Sequence, residues 1–77
     1  MLAHGVTPAE AEETFEDERP LSRDAYYKDG ERRDAFVAAT LTGRILTVVY
    51  TQRGSAIRVI TAYRTRGRLR REYLEGR

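Results

Sequence analysis

Arg53, Arg58, Arg64, Arg66, Arg68, Arg70 and Arg71 crowd the last third of this chain, with Tyr50, Tyr63 and Tyr73 interleaved among them. A guanidinium is a planar fork of donors suited to phosphate or carboxylate, and an exposed tyrosine can stack on an unpaired base. The pattern points to a polyanion, RNA foremost, or to an acidic protein partner. The same residues also fit a solvated basic surface with its tyrosines packed inward. RNA scission needs neither metal nor thiol. It needs the 2′-hydroxyl aligned with the scissile phosphate and positive charge where the phosphoryl oxygens gain negative charge, which arginines can supply. A base must also take the 2′ proton, and an acid must serve the leaving oxygen. Candidate bases are His4, Glu31, Asp34 and Glu72. Tyr63, with an ordinary phenol pKa of about 10, is better suited to donating or orienting. Spacing does not choose among them.

Composition narrows the field. There is no cysteine, which excludes a disulfide framework, a thiolate zinc site and a cysteine nucleophile. His4 is the single histidine, so no histidine cluster exists, and no metal or other cofactor is expected. No glycine-rich phosphate loop or Ser/His/Asp set is present. No run of 18 apolar residues occurs, and the N-terminus lacks the basic start and apolar stretch of a signal peptide. A cytoplasmic location without membrane contact is the expectation. With 77 residues, 40% hydrophobic and 34% charged, the chain reads as one folded domain over residues 1–77. So small a domain buries only roughly 60–65% of its unfolded surface, so a homo-oligomer or a tightly bound partner would help it.

The net charge of +2 hides a segregation. Residues 1–31 hold nine acids and three bases, whereas residues 32–77 hold three acids and eleven bases. Thirteen of the fourteen bases are arginine. Codon bias can account for that preference but not for the separation of charge along the chain.

The elements that must position these groups follow from local signals. Thr7, Pro8 and Glu10 form a helix start with a capping box, predicting a helix over 8–16 in which Phe15 must dock. Residues 17–31, with Pro20, Gly30 and alternating charge, read as a long loop. Strands are predicted over 36–41, 45–51 and 57–63, joined by turns at Thr42-Gly43-Arg44 and Gln52-Arg53-Gly54-Ser55. A second helix is predicted over 66–75, docking through Leu69, Tyr73 and Leu74 and ending at Gly76. The architecture is α+β: a three-stranded antiparallel meander covered on one face by an N-terminal and a C-terminal helix. Strict alternation in the third strand puts Ile57, Val59, Thr61 and Tyr63 on one face and Arg58, Ile60, Ala62 and Arg64 on the other.

Several of these segments resemble the BrnT toxins. His4-Gly5-Val6-Thr7, followed by Glu10-Ala11, Phe15 and Asp17, resembles that family's opening. Arg32-Arg33 is similar to its approach to the sheet. Val48-Val49-Tyr50-Thr51-Gln52-Arg53-Gly54 and Ile57-Arg58-Val59-Ile60-Thr61-Ala62 resemble its most characteristic stretch, and Arg70, Arg71 and Tyr73 continue the likeness. The resemblance implies a RelE-like fold and an endoribonuclease toxin of a type II toxin–antitoxin module. Such a toxin cuts RNA without metal and is neutralised by a BrnA-like ribbon-helix-helix antitoxin in a hetero-oligomer. By that resemblance Arg53 and Arg58 belong to the active surface, with Arg64, Tyr63 and His4 as further catalytic candidates. Arg66, Arg70, Arg71 and Tyr50 are candidate RNA contacts. Two departures stand out: Tyr63 occupies the position where the family usually has arginine, and only Met1, Leu2 and Ala3 precede His4, which implies a truncated chain or a sheet short of one strand. A non-catalytic relative that binds an antitoxin, or a small regulatory nucleic-acid-binding domain, is the alternative.

Overall fold

Thr7 opens the first helix as its neighbours predict. Its side-chain oxygen accepts from the Glu10 amide at 3.1 Å, while the Glu10 carboxylate accepts from the Thr7 amide at 3.0 Å, a complete capping box. In the computed structural model, which describes residues 5–76, helix α1 spans Pro8–Glu13 and tightens into a 3₁₀ turn over Thr14–Glu16. Six residues cannot hold a helix by their own hydrogen bonds. Tertiary contacts do so here: Ala11 and the preceding Val6 are buried against Leu46, Val48 and Ala62. Glu10 pairs with Arg44, and the Leu41 amide donates to Glu13 at 2.9 Å. Phe15 sets its ring edge-on to Phe36 and Tyr50, with centroids 4.9 and 5.6 Å apart, and keeps part of its surface in solvent.

Residues 17–31 are not a loop. Leu21–Lys28 form strand β1, so the antiparallel sheet has four strands rather than three, in the order β1-β2-β3-β4. Strand β2 is Glu31–Ala39, β3 is Ile45–Arg53 and β4 is Ala56–Arg64. The hairpin between β1 and β2 turns on Asp29 and Gly30, both at positive φ (53° and 79°), the signature of a type I′ turn. Strand β1 lies at the sheet edge with Ser22 to Lys28 exposed on both faces, so it carries no apolar alternation to betray it. Strand β2 therefore begins at Glu31 rather than Phe36. Leu41, read as strand, sits instead in the Thr40–Arg44 turn and is 74% exposed.

The helices also divide differently from the expectation. Registers Ala38↔Leu46, Phe36↔Val48 and Val48↔Ala62 put these side chains on one face, beneath α1. Val37 and Ile45 point the other way, beneath helix α2, Gly67–Glu75. One helix per face explains why β3 is buried almost without interruption from Ile45 to Thr51. Tyr73 is the anchor of α2, packed on Val37 and Ile45, with Leu69 and Leu21 beside it. Leu74, expected to dock with it, is exposed.

Asp17 ties these parts together. Its carboxylate accepts from the Tyr73 hydroxyl, from the Ala39 amide at 2.9 Å and from the Arg19 amide at 2.9 Å. One side chain thereby joins the end of the first helical segment, the end of β2 and the last helix. Removing the hydroxyl alone, in Tyr73→Phe, should destabilise the fold by about 1–3 kcal/mol, the cost of a hydrogen bond to a charged acceptor. Urea unfolding of both proteins, with an unchanged m-value, measures it.

Candidate functional site

The arginines are distributed by a single irregularity. Val49 pairs with Thr61 and the adjacent Tyr50 pairs with Val59, so Ile60 is an extra residue bulged out of the ladder. Side chains alternate along a strand, and one inserted residue exchanges the faces beyond it. Thr61 and Tyr63 on one side of the bulge therefore share a face with Arg58 on the other. Ile57 and Val59 turn to the opposite face, where Val59 joins the core under α1. Strict alternation groups Arg58 with Arg64. The structure separates them: Arg58 faces with its partner Thr51, whereas Arg64 is registered with Leu46 on the α1 face.

Arg53 is registered with Ala56 and so lies diagonally across from Arg58, roughly 7–8 Å away between backbones. Both are exposed. Tyr63, opposite Thr47, stands about 13 Å along the strand from Arg58, four residues at about 3.3 Å each. Between them this face carries Val49 and Thr51, both buried, and Thr61. The Thr51 hydroxyl donates to the Arg32 carbonyl at 2.9 Å and fastens β3 to β2 beneath this surface. Helix α2 covers this face only at its other end, over Val37 and Ile45.

Glu31 and Arg33, at the start of β2, complete the cluster. The Glu31 carboxylate accepts from Arg53 at 3.1 Å with one oxygen and from Arg33 at 3.4 Å with the other. The hydrogen bond from Arg53, then that from Arg33, holds its carboxyl below the ordinary glutamate value against the opposing effect of desolvation. A carboxylate so held is a weak proton acceptor, and its geometry is that of a bridge between two guanidiniums. With residues 17–31 read as a loop, the sequence gives no sign of this bridge. Once 31–39 is a strand, the two-residue spacing of Glu31 and Arg33 puts them on one face.

The other candidates disperse. Tyr50 lies on the α1 face, packed against Phe15 and Phe36, and borders a depression with Arg32, Asp34 and Gln52. Asp34 pairs with Arg32 at 3.3 Å. Glu72 lines a groove with Arg19 and Leu21. Arg66 is the N-cap residue of α2, and Arg68, Arg70 and Arg71 are exposed along that helix. Arg64 and Arg70 border a cavity at the far end of the sheet. His4 lies outside the described residues. Among the described residues no three His, Cys, Asp or Glu side chains gather closely enough to hold a metal ion, and no helix is long and apolar enough to cross a membrane.

The class is thus an α+β protein with one helix on each face of an antiparallel sheet and an arginine cluster, bridged by a carboxylate, on an uncovered part of that sheet. Residues 1–68 match the family described as ribonuclease toxin, BrnT, of type II toxin–antitoxin system, and the chain belongs to that family. No curated protein and no solved structure matches it. A type II toxin–antitoxin family implies an antitoxin as partner.

Because the folded-state pKa of Glu31 is lowered, its contribution to stability is present above the unfolded-state value and lost as pH falls through the folded one. Carbon-detected titration should put the Glu31 carboxyl midpoint below the ordinary glutamate value. The stability difference between the wild type and Glu31→Gln should be present at neutral pH and vanish in acid.

Proposed function

We propose that this chain is a RelE-like endoribonuclease that cuts single-stranded RNA on the sheet face bearing Arg53 and Arg58. The observation that carries the reading is the pairing of those two exposed guanidiniums on one open face, with Arg33 bridged to Arg53 through Glu31. In the reaction the 2′-oxygen bonds to phosphorus as the bond to the 5′-oxygen breaks. The 2′ proton passes to a base, for which His4 is the candidate, and the leaving 5′-oxygen takes up a proton from water. Arg53 and Arg58 hold the non-bridging oxygens as their charge grows, which is electrostatic stabilisation of the transition state rather than of the bound strand. Glu31 fixes Arg53 in advance, so less ordering is needed when the phosphate arrives. Tyr63 orients the neighbouring nucleotide, by stacking or by its hydroxyl. The floor of Val49, Thr51 and Thr61 lets a strand approach the backbone closely. Arg66, which precedes α2 as its N-cap residue, and Arg71 on the helix extend the positive field toward the strand.

In this reading guanidiniums supply the positive charge that a metal would otherwise bring, and the reaction takes place in the cytoplasm. The antitoxin is of the ribbon-helix-helix kind, and it neutralises the toxin by covering this face in a hetero-oligomer.

The test is cleavage of a labelled single-stranded RNA by purified protein, with and without chelator, beside Arg58→Ala and Arg53→Ala. Cleavage should persist in chelator. Arg58→Ala should lose about 10²–10³-fold in kcat, the usual cost of removing one donor to a developing oxyanion. RNA left intact at high protein concentration, chelator-sensitive cutting, or wild-type rates in both variants would refute the proposal.

A further inference from the structure

Five ladder positions from Arg58, at the other end of the sheet, the β2–β3 turn and the β4–α2 connection border an open cavity of about 380 Å³. Its lining is Gly43, Arg44, Ile45, Arg64, Thr65 and Arg70, which brings together three arginines from three separate elements and no carboxylate. The walls are held in place. The Thr65 amide donates to the Ile45 carbonyl at 2.9 Å, and its hydroxyl is bonded to that of Thr47 at 2.8 Å. The Gly43 amide donates to the Thr40 carbonyl at 3.0 Å, and the Arg44 amide donates to the Thr40 hydroxyl at 3.0 Å. Arg44 is fixed from outside the cavity by Glu10. Arg64 and Arg70 are exposed and form no ion pair among the described residues.

Glu10 offsets the charge of Arg44, whereas the like charges of Arg64 and Arg70 repel unless an anion comes between them. Arg70 also sits in the first turn of α2, whose N-cap residue Arg66 contributes no side-chain hydrogen bond and whose first turn holds no acid, so the positive end of the helix adds to the field. We infer that this cavity is a second phosphate site, which takes a backbone phosphate of the bound RNA strand at a distance from the cut. The inference rests on the proposed RNA cleavage and adds to it a subsite that anchors the strand. Arg64 and Arg58 are separated by roughly 16 Å along the strand and lie on opposite faces of the sheet, so an RNA strand that reaches both passes around the sheet end and spans at least about five phosphates at about 3.4 Å each if stacked. Arg64 therefore anchors RNA and does not touch the scissile phosphate. Arg70 lies beyond the residues that match the family, so this site is partly built from a segment that the family match does not cover.

The experiment compares the wild type with the double variant Arg64→Gln, Arg70→Gln on a trinucleotide and on a strand of about twelve nucleotides, long enough to span both sites. Both positions are exposed, and circular dichroism verifies that the variant is folded. For the longer strand KM should rise about tenfold or more, as for loss of a charge-assisted contact, with kcat within about twofold. For the trinucleotide neither constant should change. A parallel fall in kcat on both substrates would put these arginines at the scissile phosphate and overturn the inference while leaving the cleavage proposal standing.

A second arm needs no turnover. The Nε–Hε signals of Arg64 and Arg70 and the Gly43 amide are followed by NMR as an all-deoxy strand of the same length, inorganic phosphate or an oligoglutamate peptide is added. Saturable shifts with the deoxy strand at concentrations where phosphate and peptide have no effect support the site, even if the wild type cuts no RNA. A response to inorganic phosphate alone would identify a free-phosphate site, and a response to the peptide alone a protein-docking site. Either result overturns the inference.

Discussion

Ile60 is one residue more than β3 can match. The chain absorbs it as a bulge between Thr61 and Val59, and most of what is distinctive about the surface follows from that accommodation. Were Ile60 kept in register instead of bulged, Arg58 would point into the same layer as Leu46 and Val48, and Val59 would leave it. A guanidinium would then stand where α1 needs an apolar partner, and a valine would stand beside Arg53. The bulge satisfies both demands of β4 at once. Near Ala62 the strand closes the α1 core, and at Val59 it does so again, while Arg58 turns out to the open face. Bulges bend and twist a strand as well as re-aiming side chains, and they are found next to functional surfaces for that reason.

The two helices are too short to organise a protein by themselves, and the sheet does it for them. Each is pinned by polar contacts at the rim and apolar contacts beneath. α1 is held by the Glu10–Arg44 pair and by Val6 and Ala11, and α2 by the Tyr73–Asp17 bond and by Val37 and Ile45. This division leaves part of the α2 face uncovered, and the arginine cluster occupies that part. The acidic N-terminal half supplies the carboxylates that bind the basic half into place: Glu10 to Arg44, Glu31 to Arg53, and Asp17 to the end of β2. Charge that is segregated along the sequence is thus partly recombined in space. Among the described residues this leaves Arg58 on the sheet face and Arg64 and Arg70 at the sheet end without an ion pair, in two separated places rather than a single patch.

Much of this was legible from residues alone, and the failures have physical causes. The Thr7–Glu10 capping box, the three apolar strands and the Leu69–Tyr73 stripe are local patterns, and local patterns can be read. Strand β1 escaped because an edge strand exposed on both faces has no burial period. The Asp29-Gly30 pair was the readable sign of its hairpin, and the surrounding charge obscured it. The assignment of two helices to one face failed although β3 carried the correction: an apolar run from Ile45 to Tyr50 is what a strand covered on both sides looks like. The bulge was beyond reach, because an extra residue exists only relative to a partner strand. With it went the grouping of Arg58 with Tyr63 and the separation of Arg64. Tyr50, which looked like a base-stacking residue, was drawn into an aromatic contact by Phe15, whose position depends on the 3₁₀ turn.

The register of β4 against β3 decides where Arg58 points, and cross-strand nuclear Overhauser contacts in the free protein read it. A bulged β4 gives contacts that join Arg58 to Thr51 and Val59 to Tyr50, with Ile60 lacking a partner on β3. Contacts that join Arg58 to Gln52 and Ile60 to Tyr50 would mean an unbroken ladder. They would return Arg58 to the α1 face and rule out the bulge and the arginine cluster that depends on it.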